Sequence, residues 1–269
     1  MARNDQPIGL FDSGVGGLTV ANAINHLLPQ EEIIYFGDTA HLPYGDKSSE
    51  AVKYYSRKIT EFLLEKACKL VLIACNTASA TAYKHLKEEF GHRVILLDVI
   101  NPVVYYLKQH FTQGKIGVIG TKGTINSGTY EQKISDEQID AQVVSLATPL
   151  FVPMIEEGFI YDDISNAIIR SYLSRKEIST VDYLILGCTH YPIIKNQIRK
   201  FYEFRNEVLD SSKIVAQYLK EKLQENNLLG SNKNPQHRFF VSDYTDYFKK
   251  ISTMFFEEPL RLEQIDFWK

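Results

Sequence analysis

Cysteine is scarce in this sequence: Cys68, Cys75 and Cys188 are the only three among 269 residues. An odd, sparse set with no C-x-x-C pair and no histidine at zinc-finger spacing argues against a disulfide framework and against structural zinc. A surplus of either charge is also missing. Thirty Lys and Arg face 33 Asp and Glu, a net charge of −3, which gives no electrostatic footprint for nucleic acid. Long apolar runs are absent too; those present fall far short of the roughly 20 residues that cross a bilayer, so no membrane partner is expected. The opening "MARNDQPIGLFDSG" lacks the apolar core of a signal peptide. Reduced thiols and a cytoplasmic location follow as expectations.

What is present is an alternation. "PIGLFD" reads as a strand, followed by the Gly-rich "SGVGG" and a helix through "LTVANAINHLL" that Pro29 closes. "EIIYFGD", a helix over about residues 49–66, the strand "KLVLIAC", the helix "TASATAYKHLKEEF" and the strand "RVILLDV" continue the series. The pattern then restarts, with "GKIGVIGTKGT", "QVVSLAT" and "VDYLILGC" as further strands. Strands alternating with helices imply βαβ crossovers and a parallel sheet covered on both faces. The expected fold is therefore α/β with two similar domains, each a mostly parallel sheet flanked by helices, and a site in the cleft between them. The expected division is 1–98 with 209–269 against 99–208. The tail "FFVSD", "YTDYFKKISTMFF" and "LRLEQID" is too short to hold a core alone and is expected to return to the first domain.

In open α/β sheets, ligands bind beyond the carboxyl ends of the strands. Asp12, Asp38, Cys75, Thr121 and Cys188 all fall at expected strand ends. Either cysteine taken alone reads equally well as a small core residue. Two in matching positions, each followed by an expected helix whose N-terminus favours a thiolate, point to a base or nucleophile. Cys68, in "EKACKLVL", lacks that context. His190 follows Cys188 closely enough to serve as its base or hydrogen-bond partner. Glu156 and Glu157 in "VPMIEEG" would ordinarily be solvated helix charges.

A dinucleotide fingerprint starting at Gly14 and Gly16 would need a third glycine where Thr19 stands, which counts against a nicotinamide enzyme, although Asp38 sits where a ribose-binding acid would. The loops can instead aim backbone N–H groups and hydroxyls, such as those of Ser13, Thr77 and Thr189, at a small carboxylate. The loop "DTAHLPYG" has the length and Pro/Gly content of a binding loop or of a rigid turn.

"FDSGVGGLTV", "GDTAHLPYG", "ACNTASA", "GVIGTKGT", "VPMIEEG" and "LGCTHYP", in that order along nearly the whole chain, resemble the glutamate racemases of the aspartate/glutamate racemase superfamily. The resemblance implies cofactor-free interconversion of L- and D-glutamate, supplying D-glutamate for peptidoglycan synthesis. It implies Cys75 as the base toward D-glutamate and Cys188 as the base toward L-glutamate, with Asp12 assisting the first and Glu156 or His190 the second. It implies substrate contacts at Asp12, Ser13, Tyr44, Gly45, Asn76, Thr77, Thr121, Thr189 and His190. No metal and no pyridoxal phosphate are expected; glutamate is the small-molecule partner, and a homodimer is the expected assembly. His41 departs from the resemblance, since arginine often stands there. An aspartate or other amino-acid racemase, and a redox-sensing binding module, are the alternatives.

Overall fold

The computed structural model describes residues 4–256 and 260–269, with the backbone alone at 246, 247 and 250. Two parallel sheets organise it. The first has the order β10-β9-β2-β1-β3-β4, built from β1 (Ile8–Asp12), β2 (Ile33–Gly37), β3 (Leu70–Ile73), β4 (Ile95–Asp98), β9 (Arg238–Val241) and β10 (Leu262–Gln264). The second has the order β6-β5-β7-β8, from β5 (Lys115–Gly120), β6 (Gln142–Ala147), β7 (Tyr183–Gly187) and β8 (Glu207–Leu209). Every pairing is parallel. Strands such as "IGLFD" and "LVLI" are buried at every position. Both faces of such a strand are covered, so its residues read as a continuous apolar run rather than an alternating one.

The helices supply that cover: α1 (Leu18–Leu27), α2 (Ser49–Glu65), α3 (Asn76–Phe90), α4 (Ile100–His110), α5 (Lys122–Asn126), α6 (Thr129–Asp136), α7 (Phe151–Glu156), α8 (Asp163–Leu173), α9 (Lys195–Phe201), α10 (Ser211–Glu225) and α11 (Asp246–Phe255). Helices α2 and α3 pack together, and α10 packs on both α1 and α4. Through α1 and α10 the apolar interior is continuous from Leu10 and Leu72 of the first sheet to Leu184 and Leu186 of the second. The chain passes between the sheets twice, from β4 to β5 and from β8 to β9.

The strand order locates the chemistry. In the first sheet β1 pairs with both β2 and β3, and in the second β5 pairs with both β6 and β7. The chain leaves β1 in one direction and returns to its other side, which makes the crevice at the carboxyl ends of β1 and β3 a switch point; β5 and β7 make another. Asp12 and Cys75 stand at the first switch point, Thr121 and Cys188 at the second.

Candidate functional site

The two switch points meet at one cavity of about 30 Å³. Ser13, Tyr44, Gly45, Cys75, Asn76 and Thr77 line it from the first sheet's side, and Thr121, Glu156, Cys188, Thr189 and His190 from the second's. Asp12 lies just behind, wholly buried. Leu42, Pro43 and Val152 also line it; the first two lie in the binding loop singled out from sequence, and Val152 opens the "VPMIEEG" stretch, of which only the glutamates were singled out as site candidates. Larger hollows exist, including one of about 620 Å³ between α1, α10 and α11. None of the three cysteines lines it, so the small cavity is the one with the chemistry.

Cys75 caps α3: its Sγ accepts from the Ala78 N–H at 3.5 Å and its thiol approaches Ser13 Oγ at 3.7 Å. A thiolate at a helix N-terminus is ordinarily favoured. Here the outcome is the reverse. Burial, and after it the negative charge of Asp12, push the Cys75 thiol up to about 12, against which the Ala78 N–H and Ser13 hydroxyl pull only partly. Cys75 is 5 % exposed, too dry for the cap to win.

Cys188 differs again. It opens no α-helix: Thr189 and His190 form a turn leading into a 3₁₀ segment, Tyr191–Ile194, and α9 begins only at Lys195. Pro192 shapes that segment's first turn. The helix-terminus argument therefore fails for Cys188, and a histidine takes its place. Cys188 Sγ lies 3.8 Å from His190 Nδ1, and His190 Nε2 lies 2.9 Å from Glu156 Oε1. Burial alone would lower the His190 pKa. Hydrogen bonds to Cys188 and Glu156, together with their charges, override it and raise the group to about 10. The imidazolium persists at neutral pH and both ring N–H groups donate, one to each neighbour. Glu156 is thus no solvated helix charge, whereas Glu157 beside it is exposed.

Asp12 ties the halves together. Its Oδ2 accepts from the Gly14 N–H at 3.0 Å and its Oδ1 from the Thr189 hydroxyl at 3.4 Å. Burial raises its pKa, and His190 and the N–H groups of Gly14, Gly17 and Ser13 oppose the rise. The Gly-rich turn after β1 is needed for close approach. A Cβ on Gly16 would collide with the His190 ring and with Thr189 Oγ1. Gly45 repeats the device, since a Cβ there would come within 2.7 Å of Thr121 Cβ.

The floor is polar and unfinished. Thr77 Oγ1 bonds Thr121 Oγ1 at 2.9 Å, joining the start of α3 to the start of α5. Asn76 Oδ1 accepts from the Tyr130 hydroxyl at 2.8 Å, while its buried Nδ2 has no partner among the described residues. A buried amide donor facing a cavity at a helix N-terminus suits a carboxylate. The described residues contain no group of three or more His, Cys, Asp or Glu placed to hold a metal ion.

The arrangement presents one thiol from each sheet to a single small chamber, with anion donors between them. A family model described as Asp/Glu/hydantoin racemase matches residues 16–219. The chain belongs to that family. It is 42% identical over 249 residues to a glutamate racemase of Geobacter metallireducens, covering 92% of each chain. Among solved structures it is similar to a glutamate racemase of Francisella tularensis in complex with D-glutamate, at 37% identity and TM-score 0.91, covering 98% of this chain and 99% of that one. It is likewise similar to a glutamate racemase isoform of Bacillus anthracis, at 34% identity and TM-score 0.92, covering 98% of both. Family membership gives the Gly-rich turn a setting other than the dinucleotide one, and Asp38, wholly buried among side-chain donors, has no face left for a ribose.

Proposed function

We propose that this chain interconverts L- and D-glutamate, carrying the Cα proton between Cys188 and Cys75. The observation that supports it best is the pair of thiols, one from each sheet, lining a single cavity. Removing a proton from one face of Cα and returning one to the other requires groups on both sides, and two thiols avoid turning the substrate over. The relative from Francisella tularensis, solved with D-glutamate, supports glutamate as the substrate.

The two thiols have different surroundings. Cys75 holds its proton at neutral pH, because its pKa is pushed up to about 12. Cys188 instead faces the His190 imidazolium, with Sγ 3.8 Å from Nδ1, and serves as the proton acceptor in the step from L-glutamate. From L-glutamate, the Cα–H bond breaks and a Cys188 S–H bond forms. The electron pair passes into the α-carboxylate, which the Asn76 amide and the hydroxyls of Ser13, Thr77, Thr121 and Thr189 are positioned to hold. The Cys75 S–H bond then breaks as the new C–H bond forms on the opposite face. Each group is an acid in one direction and a base in the other. In a dry chamber the hydrogen bonds to the developing charge are stronger than in water.

Asp12 and the Glu156–His190 pair act as positioning groups for Cys75 and Cys188 in this reading. The boundaries at residues 98 and 209, the homodimer, the cytoplasmic location and the supply of peptidoglycan precursor belong to the same proposal; sedimentation of the purified protein tests the homodimer. The reaction itself is tested by circular dichroism of L-glutamate and, in parallel, L-aspartate, with dialysed protein and no added cofactor. Loss of optical rotation with glutamate is the expected result, and loss with aspartate alone would redirect the assignment. In heavy water, early D-glutamate formed from L-glutamate should carry deuterium at Cα while unreacted L-glutamate keeps its hydrogen. Equal early labelling of both would overturn the two-thiol route.

A further inference from the structure

Asp38 lies outside the cavity, directly after β2, and is wholly buried. Four side chains donate to it. The Tyr44 hydroxyl bonds Oδ2 at 2.7 Å, and His41 Nδ1 straddles the carboxylate, 3.0 Å from Oδ2 and 3.1 Å from Oδ1. Ser242 Oγ and Trp268 Nε1 each bond Oδ1 at 2.8 Å. A buried carboxylate with charge-assisted bonds on both oxygens is held in one rotamer, and it holds its donors in turn.

The four donors come from two places. His41 and Tyr44 belong to the loop that reaches the site; Ser242 and Trp268 come from the segments that follow β9 and β10. The loop is tied to the first of these segments again through the Ala40 N–H, which bonds Ser242 Oγ at 3.0 Å, and through Thr39 Oγ1, which bonds the Asp243 carbonyl at 2.5 Å. The Trp268 ring adds an edge contact to His41, with centroids 4.7 Å apart at 80°, and His41 stacks on Tyr55 at 4.0 Å and 13°. On the far side of the loop, Tyr44 and Gly45 line the cavity, and Gly45 abuts Thr121 closely enough to exclude a Cβ. A continuous chain of contacts therefore runs from Trp268 through Asp38 to Tyr44 and the wall of the site.

We infer that Trp268 is a positioning residue for the Tyr44–Gly45 turn, acting through Asp38, so that the segment after β10 sets the fit of the substrate chamber. Without the indole N–H, Oδ1 keeps Ser242 and the 3.1 Å approach of His41 Nδ1 but loses the one donor from the segment after β10, and the carboxylate is held less firmly against rotation away from Tyr44. The Tyr44 hydroxyl then loses a fixed acceptor and the wall beside Cys75 loosens. The inference rests on the functional reading above only for its kinetic consequence; the loosening is measurable without substrate.

The test is Trp268→Phe, which keeps an aromatic ring and removes the N–H. In ligand-free protein, alkylation followed residue by residue by mass spectrometry should be about three- to tenfold faster at Cys75, the net worth of one ordinary intramolecular hydrogen bond. It should be unchanged at Cys68, which lies buried against Gly9. KM for glutamate should rise by a similar factor with kcat within about twofold, the pattern of lost binding rather than lost chemistry. In a Tyr44→Phe background, where the link to Asp38 is already cut, Trp268→Phe should add nothing further. Unchanged Cys75 alkylation, effects that add in full to those of Tyr44→Phe, or loss of the folded state in Trp268→Phe would each overturn the inference. If the wild type fails to racemise glutamate, the functional reading falls, and the Cys75 alkylation rates still decide this one.

Discussion

Cys75 and Cys188 occupy the same place in two sheets of matching topology and have opposite surroundings. Each follows the strand beside the central one, β3 next to β1 and β7 next to β5. Cys75 is an α-helix cap with a buried carboxylate nearby, and its thiol is pushed up to about 12. Cys188 enters a turn, and its neighbour is a histidine raised to about 10. Repeated topology thus fixes where the two thiols stand, while unlike neighbours give them different electrostatic surroundings. Under the proposed two-thiol route, a symmetric reaction between mirror-image molecules is served by a pair in asymmetric surroundings.

The largest effect should come from removing either thiol. Cys75→Ser and Cys188→Ser are each expected to lower kcat by about 10³-fold or more, because a hydroxyl near neutral pH is a far weaker base. Polarimetry with both enantiomers checks this, and a serine variant retaining a tenth of the rate would break the two-thiol comparison. Next comes the Cys188 side alone. His190→Asn should cost about 10²-fold in kcat/KM, and Glu156→Gln, which removes only an anchor, about tenfold. Because the enantiomers are equal in free energy, those losses must match in the two directions. The asymmetry should appear instead in alkylation at neutral pH, slowed at Cys188 by His190→Asn and unchanged at Cys75.

A smaller effect sharpens the Cys75 side. Asp12→Asn removes a charge that opposes the thiolate, so the pH midpoint of Cys75 alkylation should move down from about 12, with Cys68 as an unshifted reference. No movement would leave the elevation to burial, and a rise would reverse the sign assigned to Asp12. The smallest expected effect is on stability. His190 is raised in the folded protein to about 10 from an ordinary 6.5, so its contribution is fully present below pH 6.5 and is lost as pH rises toward 10. Between pH 6.5 and 9 the thermal midpoint of the wild type should therefore fall by several degrees, and that of His190→Asn by less. Staying below pH 9 keeps out Cys75 and Cys68, whose elevated thiols destabilise the fold only at higher pH.

Much of this was legible in the sequence, for identifiable reasons. Buried parallel strands appear as unbroken apolar runs, so the ends of β1, β3, β5 and β7 could be located, and with them Asp12, Cys75, Thr121 and Cys188. Short elements left little trace. β8 has three residues, and the six-residue α7 sits in a stretch whose glutamates look like any surface pair, so the bond from Glu156 to His190 was invisible. The thiol shift was misjudged because a helix start is a sequence feature, whereas depth of burial and the distance to Asp12 are not. The Asp38 network lay furthest out of reach. Two of its donors come from 204 and 230 positions away, and Asp38 itself resembles a ribose-binding acid until those partners are seen.

The chamber of about 30 Å³ has a mechanical consequence. It has room for about a water or two, so an amino acid cannot enter while it is shut. Every turnover then requires the lining of the chamber to part and to rejoin, and the pace of that motion sets an upper bound on turnover however fast the proton moves. For an inhibitor the same motion acts as a latch. A molecule small enough to let the halves close over it gains a long residence time, whereas one that props them open occupies a site that cannot retain it.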